Sequence, residues 1–139
     1  AIIGRSGVAL YRVGAIKDIP SVRKYVSLDG GMGDNIRPAL YDSEYEAVVV
    51  NKMNIQPVET VTLAGKYCES GDILIKDIEL PETEAGDLIA IPSVGAYTPA
   101  MASTYNMNPR PAMVLVKDGE ASLIRRRETY QDLIALDVL

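Results

Sequence analysis

Short runs of Val, Ile, Leu and Tyr recur along nearly the whole chain, and almost every run is closed off by Gly, Pro, Asn or Asp. This punctuation constrains the fold more than any other feature. An amphipathic helix needs an apolar stripe sustained over several turns, whereas a strand needs only a few β-branched or aromatic residues between turn formers. The expectation is a mainly β domain. Predicted strands cover Gly7 to Ile16, Arg23 to Leu28, Glu46 to Asn51, Val58 to Ala64, Asp72 to Glu79, Asp87 to Ile91, Ala112 to Val116 and Ala121 to Arg126. Between the last two, Lys117-Asp118-Gly119-Glu120 sets an Asp-Gly pair between strand-like flanks, the strongest local signal of a tight hairpin. Two short helices are predicted, one following Gly95-Ala96-Tyr97 through Met101-Ala102 and one from Glu128 to Leu136. Closing the strands on themselves removes vulnerable edges, so a β-barrel or sandwich-like domain over residues 1–139 is expected.

The charge balance narrows the function. Fourteen Lys and Arg stand against 19 Asp and Glu, for a net charge of −5, and the chain has no His. Cations scattered over an acidic chain make nucleic acid a poor partner; the run Arg125-Arg126-Arg127 reads as a solvated strand end or helix entry. Without His the usual zinc spacings and the Ser-His-Asp triad cannot be built, and no metal site is expected. The single Cys68 cannot form an internal disulfide, and the cytoplasm is the expected compartment. No apolar stretch approaches the ~20 residues of a bilayer-spanning helix, so no membrane association is expected. The chain opens in Ala1-Ile2-Ile3-Gly4 without a start methionine and carries dense polar loops that lack a catalytic partner. It reads as part of something longer.

Three segments carry chemistry. The first runs from Leu28 through Asp29-Gly30-Gly31-Met32-Gly33 to Arg37-Pro38-Ala39-Leu40-Tyr41. It is either a tight turn with a surface arginine or a loop whose backbone approaches a ligand. Pro38 fixes its own φ and biases Arg37 toward extended geometry, so the guanidinium is aimed. Its planar fork suits a carboxylate, and the Tyr41 hydroxyl lies four residues on. The second segment, Lys66-Tyr67-Cys68-Glu69-Ser70-Gly71-Asp72, offers either a half-buried thiol beside a solvated acid or a thiol proton donor beside a carboxylate that can hold an ammonium group. In the third, Gly95-Ala96-Tyr97 leads into a predicted helix. Tyr97 is there either as a packing ring or as a phenol near backbone N–H groups that favour an anion such as phosphate.

In this order and spacing, Asp29-Gly30-Gly31-Met32, Arg37-Pro38-Ala39-Leu40-Tyr41, Cys68-Glu69-Ser70-Gly71-Asp72, Gly95-Ala96-Tyr97 and Arg126-Arg127-Glu128-Thr129-Tyr130 resemble the C-terminal domain of diaminopimelate decarboxylases. These are a branch of the alanine-racemase-like pyridoxal-phosphate enzymes. The resemblance implies a β domain that follows an N-terminal (β/α)8 barrel, with the Schiff-base lysine for pyridoxal 5'-phosphate lying in that barrel and outside this chain. An arginine that the family places just ahead of Ala1 has no counterpart here. By resemblance, Arg37 and Tyr41 bind the substrate meso-diaminopimelate, Glu69 holds its distal ammonium, Cys68 donates the proton, and Tyr97 touches both cofactor and substrate. It also implies a homodimer in which Cys68, Glu69 and Ser70 enter the partner's site, with L-lysine and carbon dioxide as products. Two other readings stay open at this point: a related arginine, ornithine or carboxylated-polyamine decarboxylase, and a non-catalytic dimerisation module.

Overall fold

The structure, a computed structural model, describes residues 2–138; the two end positions of the expected 1–139 domain lie outside the described residues. The strands are β1 (Val8–Ile19), β2 (Arg23–Leu28), β3 (Val48–Val49), β4 (Glu59–Ala64), β5 (Ile73–Leu80), β6 (Leu88–Pro92), β7 (Met113–Lys117) and β8 (Glu120–Arg125). The helices are α1 (Arg37–Tyr41), α2 (Thr98–Met101) and α3 (Tyr130–Leu133). Six strands form one sheet in the order β3-β6-β1-β2-β4-β5, and β7 and β8 form a separate hairpin. The ladders are antiparallel except β2 with β4, which run parallel.

Strand β1 is the spine. Its first half pairs with β6, from Val8 opposite Pro92 to Arg12 opposite Leu88. Its second half pairs with β2, from Val13 opposite Leu28 to Ile19 opposite Arg23, and the register shifts between Val13 and Ile16. An irregularity of this kind bends a strand and raises its local twist, so the two halves of the sheet turn toward each other. Their inward side chains meet in one core that includes Tyr11, Val26, Leu63, Leu74, Ile89 and Ile91. The expected alternation is visible on β1, where Tyr11 and Val13 are buried while Leu10 and Arg12 face out. The barrel-like curl is therefore present, in an open form whose edges are β3 and β5.

Three helices replace the two expected. The additional one is α1, where Pro38 does not hold Arg37 in extended backbone as expected. Within the first helical turn a proline costs nothing, since its missing N–H would have no intrahelical partner. The Leu40 amide donates to the Ile36 carbonyl at 3.0 Å, and Asp42 at φ 51° stops the helix in the left-handed region. The predicted strand at Glu46 to Asn51 shrinks to two residues, because only Val48 and Val49 find partners on β6 before the chain turns into a 3-10 turn at Val50–Lys52.

At the C-terminal end, Asp118 (φ 53°) and Gly119 (φ 82°) make the expected hairpin turn, with Lys117 opposite Glu120. The Glu128 carboxylate closes the base of the hairpin, accepting from the Arg110 amide at 2.9 Å and from its Nε at 2.8 Å. Helix α3 is a single turn opened by a reciprocal cap between Thr129 and Asp132. Arg126 donates to both Asp132 oxygens, at 2.6 and 2.7 Å, which fits the reading of the arginine run as a strand end entering a helix. Among the described residues no helix is long and apolar enough to cross a membrane, and no group of three His, Cys, Asp or Glu could hold a metal ion.

Candidate active site

The arginine at the centre of the site is placed by the chain leaving β2. Asp29 stays attached to β1, its carboxylate accepting from the Arg12 amide at 2.8 Å. The chain then turns at Gly31, whose carbonyl accepts from the amides of Asp34 (2.9 Å) and Asn35 (3.0 Å). Asn35 is 1% exposed, and its Oδ1 accepts from the Arg37 amide at 3.3 Å, fixing where α1 starts. Arg37 thus sits on the first turn of a helix, with its guanidinium 5.8 Å from the centre of the Tyr41 ring and 5.3 Å from that of Tyr97. Each such contact is worth about 0.5–1 kcal/mol when exposed. Nη2 donates to Ser43 Oγ at 3.4 Å. Among the described residues no carboxylate pairs with this guanidinium. It faces a cleft of about 640 Å³ lined by Arg37, Ser43, Glu44, Glu46, Ser93 and Tyr97, among others.

Tyr97 reaches the cleft from the other half of the sheet. It follows β6 through Gly95, whose amide donates to the Gly4 carbonyl at 3.0 Å; a Cβ there would lie 1.9 Å from the Ile3 carbonyl oxygen, so only glycine fits. Tyr97 itself adopts φ 68°, ψ −42°. Such strain costs on the order of 1–3 kcal/mol and concentrates at functional sites. Helix α2 after it is only four residues, so the helix-end field invoked for a phosphate is weak here. The exposed phenol beside a guanidinium still suits a flat, anionic group.

The second loop, between β4 and β5, presents Cys68 and Glu69 to solvent. The Cys68 amide donates to Asn106 Oδ1 at 3.3 Å, and Glu69 Oε1 accepts from Ser70 Oγ and the Gly71 amide, each at 3.2 Å. The buried Tyr67 ring stacks on Tyr105 at 5.9 Å. The predicted residues therefore fall into two groups. Arg37, Tyr41 and Tyr97 are brought together, while among the described residues no hydrogen bond or ring contact joins Cys68 or Glu69 to them.

The same loops carry a half-buried acid, Asp34, and a buried one, Asp72. Burial pushes the Asp34 carboxyl up, opposed by the Gly31 amide; burial likewise pushes Asp72 up, opposed by the amides of Tyr67 and Met32. Burial also raises the Tyr11 and Tyr67 phenols far above their ordinary range, helped by the Asp34 and Asp72 charges. Sequence reasoning gave no role to Asn35, Ser43, Asp72 or Asn106. Only Asn35, a capping-type residue shortly before a helix, carried a local signal.

Comparisons with known proteins bear on these segments. A family model described as pyridoxal-dependent decarboxylase, C-terminal sheet domain, matches residues 3–95. The diaminopimelate decarboxylase of Bacillus subtilis (strain 168) is 53% identical over 138 residues, which cover 99% of this chain and 31% of that protein. The crystal structure of diaminopimelate decarboxylase from M. jannaschii in complex with L-lysine aligns with a TM-score of 0.90 at 42% identity, over 98% of this chain and 31% of that one. The lysine/ornithine decarboxylase of Vibrio vulnificus shares the fold, with a TM-score of 0.68 at 24% identity over 78% of this chain and 29% of that one. The chain spans about a third of the length of the curated relatives it matches. The six-stranded curled sheet and the loops bearing Arg37 and Cys68 all fall inside the matched residues, and the chain belongs to the family of pyridoxal-dependent decarboxylase C-terminal sheet domains.

Proposed function

We propose that this chain is the C-terminal part of a diaminopimelate decarboxylase, which converts meso-2,6-diaminopimelate into L-lysine and carbon dioxide. The observation that carries the reading is the Arg37 guanidinium, held between two tyrosine rings over an open cleft without a carboxylate partner of its own. A substrate with a second carboxylate fills that vacancy. An arginine or ornithine substrate has no distal carboxylate for this guanidinium to hold, which disfavours the related decarboxylases. The relatives at about half identity carry the same name.

Pyridoxal phosphate, anchored by a lysine of an N-terminal barrel, supplies the electron withdrawal that lets the carboxylate leave as carbon dioxide. This chain supplies the rest. Tyr97 would touch both the cofactor and the substrate. Arg37 takes the distal carboxylate through two parallel N–H bonds, with the Tyr41 hydroxyl beside it. Glu69 accepts from the distal ammonium. Cys68 Sγ–H gives its proton to the carbon that has lost carbon dioxide, and solvent restores the thiol. Two subunits complete each other's site, with Cys68, Glu69 and Ser70 crossing from the partner, in a cytoplasmic homodimer. The separation of Cys68 and Glu69 from the Arg37 group within one chain accords with that sharing.

The test uses the full-length protein that contains this chain, purified with pyridoxal phosphate and given meso-diaminopimelate. Lysine and carbon dioxide should form in equal amounts, with arginine and ornithine untouched. Consumption of arginine or ornithine in preference to diaminopimelate would overturn the reading.

A further inference from the structure

Asp72 stands immediately before β5 and is 3% exposed. Among the described residues no cation pairs with it. A buried carboxylate in that state is costly unless hydrogen bonds compensate it, and here they come from backbone on two loops. Oδ1 accepts from the Met32 amide at 2.6 Å and Oδ2 from the Tyr67 amide at 2.7 Å. The Asp72 amide donates to the Glu69 carbonyl at 3.1 Å, and its own carbonyl accepts from the Gly65 amide at 2.9 Å. The two loops are further tied by the Lys66 amide to the Gly30 carbonyl at 3.0 Å.

The glycines on either side are explained by the same group. A Cβ on Gly31 would lie 2.4 Å from Oδ1, and one on Gly65 would lie 2.1 Å from Oδ2. Both positions are kept clear for the carboxylate. The segment after Tyr97 joins the same junction, through Ser103 to the Gly33 carbonyl at 2.9 Å and through Asn106 to the Cys68 amide. Tyr67, held by Oδ2, is the residue immediately before Cys68.

We propose that Asp72 is a positioning residue: its carboxylate clamps the backbone of the Cys68 loop against the Gly30–Met32 loop and so sets where the thiol is delivered. The proposal rests on the reading of Cys68 as proton donor. A residue that only stabilised the domain would lower turnover independently of Cys68, whereas a clamp acts through it.

The experiment is a double-mutant cycle in the full-length enzyme. Asp72→Asn keeps the shape of the side chain and sets an NH₂ group against one of the two amides. It should lower kcat about tenfold or more, the scale of a misplaced reacting group, with KM rising as well because Glu69 rides on the same loop, and hydrogen exchange at the Met32 and Tyr67 amides should quicken. In a Cys68→Ala background the same substitution should lower kcat by less than about twofold further. Losses that multiply in the double variant, or an unchanged kcat in the single one, overturn the proposal. Gly31→Ala, which keeps the carboxylate and crowds it, should give the same loss of kcat and serves if Asp72→Asn does not fold; a normal kcat there also overturns it. If Cys68→Ala leaves turnover intact, the proton-donor reading fails by itself. The exchange rates of the Met32 and Tyr67 amides need no activity and still judge the clamp, and unchanged rates refute it.

Discussion

Replacing Arg37 by Lys in the full-length protein keeps the positive charge and removes the planar fork. The contacts at 5.3 and 5.8 Å to the Tyr97 and Tyr41 rings hold the guanidinium in place before substrate arrives. They are present before substrate binds, so their loss mainly costs preorganisation. The difference on binding is one of two parallel charge-assisted hydrogen bonds to the distal carboxylate, about 1.5–3 kcal/mol. At about 1.4 kcal/mol per factor of ten, kcat/KM should fall roughly 10- to 150-fold. The distal carboxylate does not react, so the contact is equally strong in ground and transition state, and the loss should appear as a raised KM with kcat within about threefold of wild type. Initial rates of lysine release across a range of diaminopimelate concentrations separate the two parameters. A kcat/KM within about threefold of wild type, or a loss confined to kcat, would remove Arg37 from the role of carboxylate anchor.

Cys68→Ala should do the reverse, lowering kcat by ~10²- to 10⁴-fold, the usual contribution of a general acid, with little change in substrate affinity; an unchanged rate of lysine formation takes the thiol out of the chemistry. Arg37→Ala and Glu69→Ala subunits, each inactive alone, should regain part of wild-type activity when mixed, because a heterodimer would hold one site with both defects and one with neither. A dead mixture after verified subunit exchange refutes the shared geometry. The Arg126 guanidinium, helped by the Thr129 amide and hydroxyl, holds the Asp132 carboxyl far below its ordinary 3.8. A depressed folded value means that the stabilisation of α3 is present above about pH 3.8 and is lost only as pH falls through the lower folded value. Amide exchange followed by NMR should show Thr129 protected down through about pH 3.8; deprotection already above pH 4 contradicts the assignment.

The sequence made the strands legible because their signals are local: Arg23–Leu28 was predicted to the residue, and Asp118-Gly119 fixed the hairpin register. The parallel pairing of Tyr25 with Thr62 was not legible, since nothing in either strand records that the intervening chain crosses to pair β3 with β6 before returning. Helix α1 is hidden because Arg37-Pro38 satisfies two backbone rules with opposite outcomes, and the deciding contacts, Leu40 to Ile36 and Arg37 to Asn35, are local geometry that residue types alone do not choose. In the site, Arg37, Tyr41, Cys68, Glu69 and Tyr97 were named from side-chain chemistry and the family pattern. That Arg37 lies between two rings depends on Tyr97 arriving from the far half of the sheet, which spacing cannot report. Asp72 stood in the quoted run with no role, because a carboxylate that holds amides looks the same in sequence as one that faces water.

The shared spine β1 also sets an order of assembly. Its second half pairs with β2 across a short turn, a local closure with little entropy to overcome. Its first half must wait for β6, with Val8 meeting Pro92 across most of the domain, and such distant pairings form slowly. The cleft draws Arg37 from one half and Ser93 and Tyr97 from the chain just past β6. A chain emerging during synthesis therefore has its strands β1, β2, β4 and β5 available before the Arg37 cleft is complete. Arg37 and Tyr97 therefore meet only when the distant β1-β6 pairing closes, after the local β1-β2 pairing has had its chance to form.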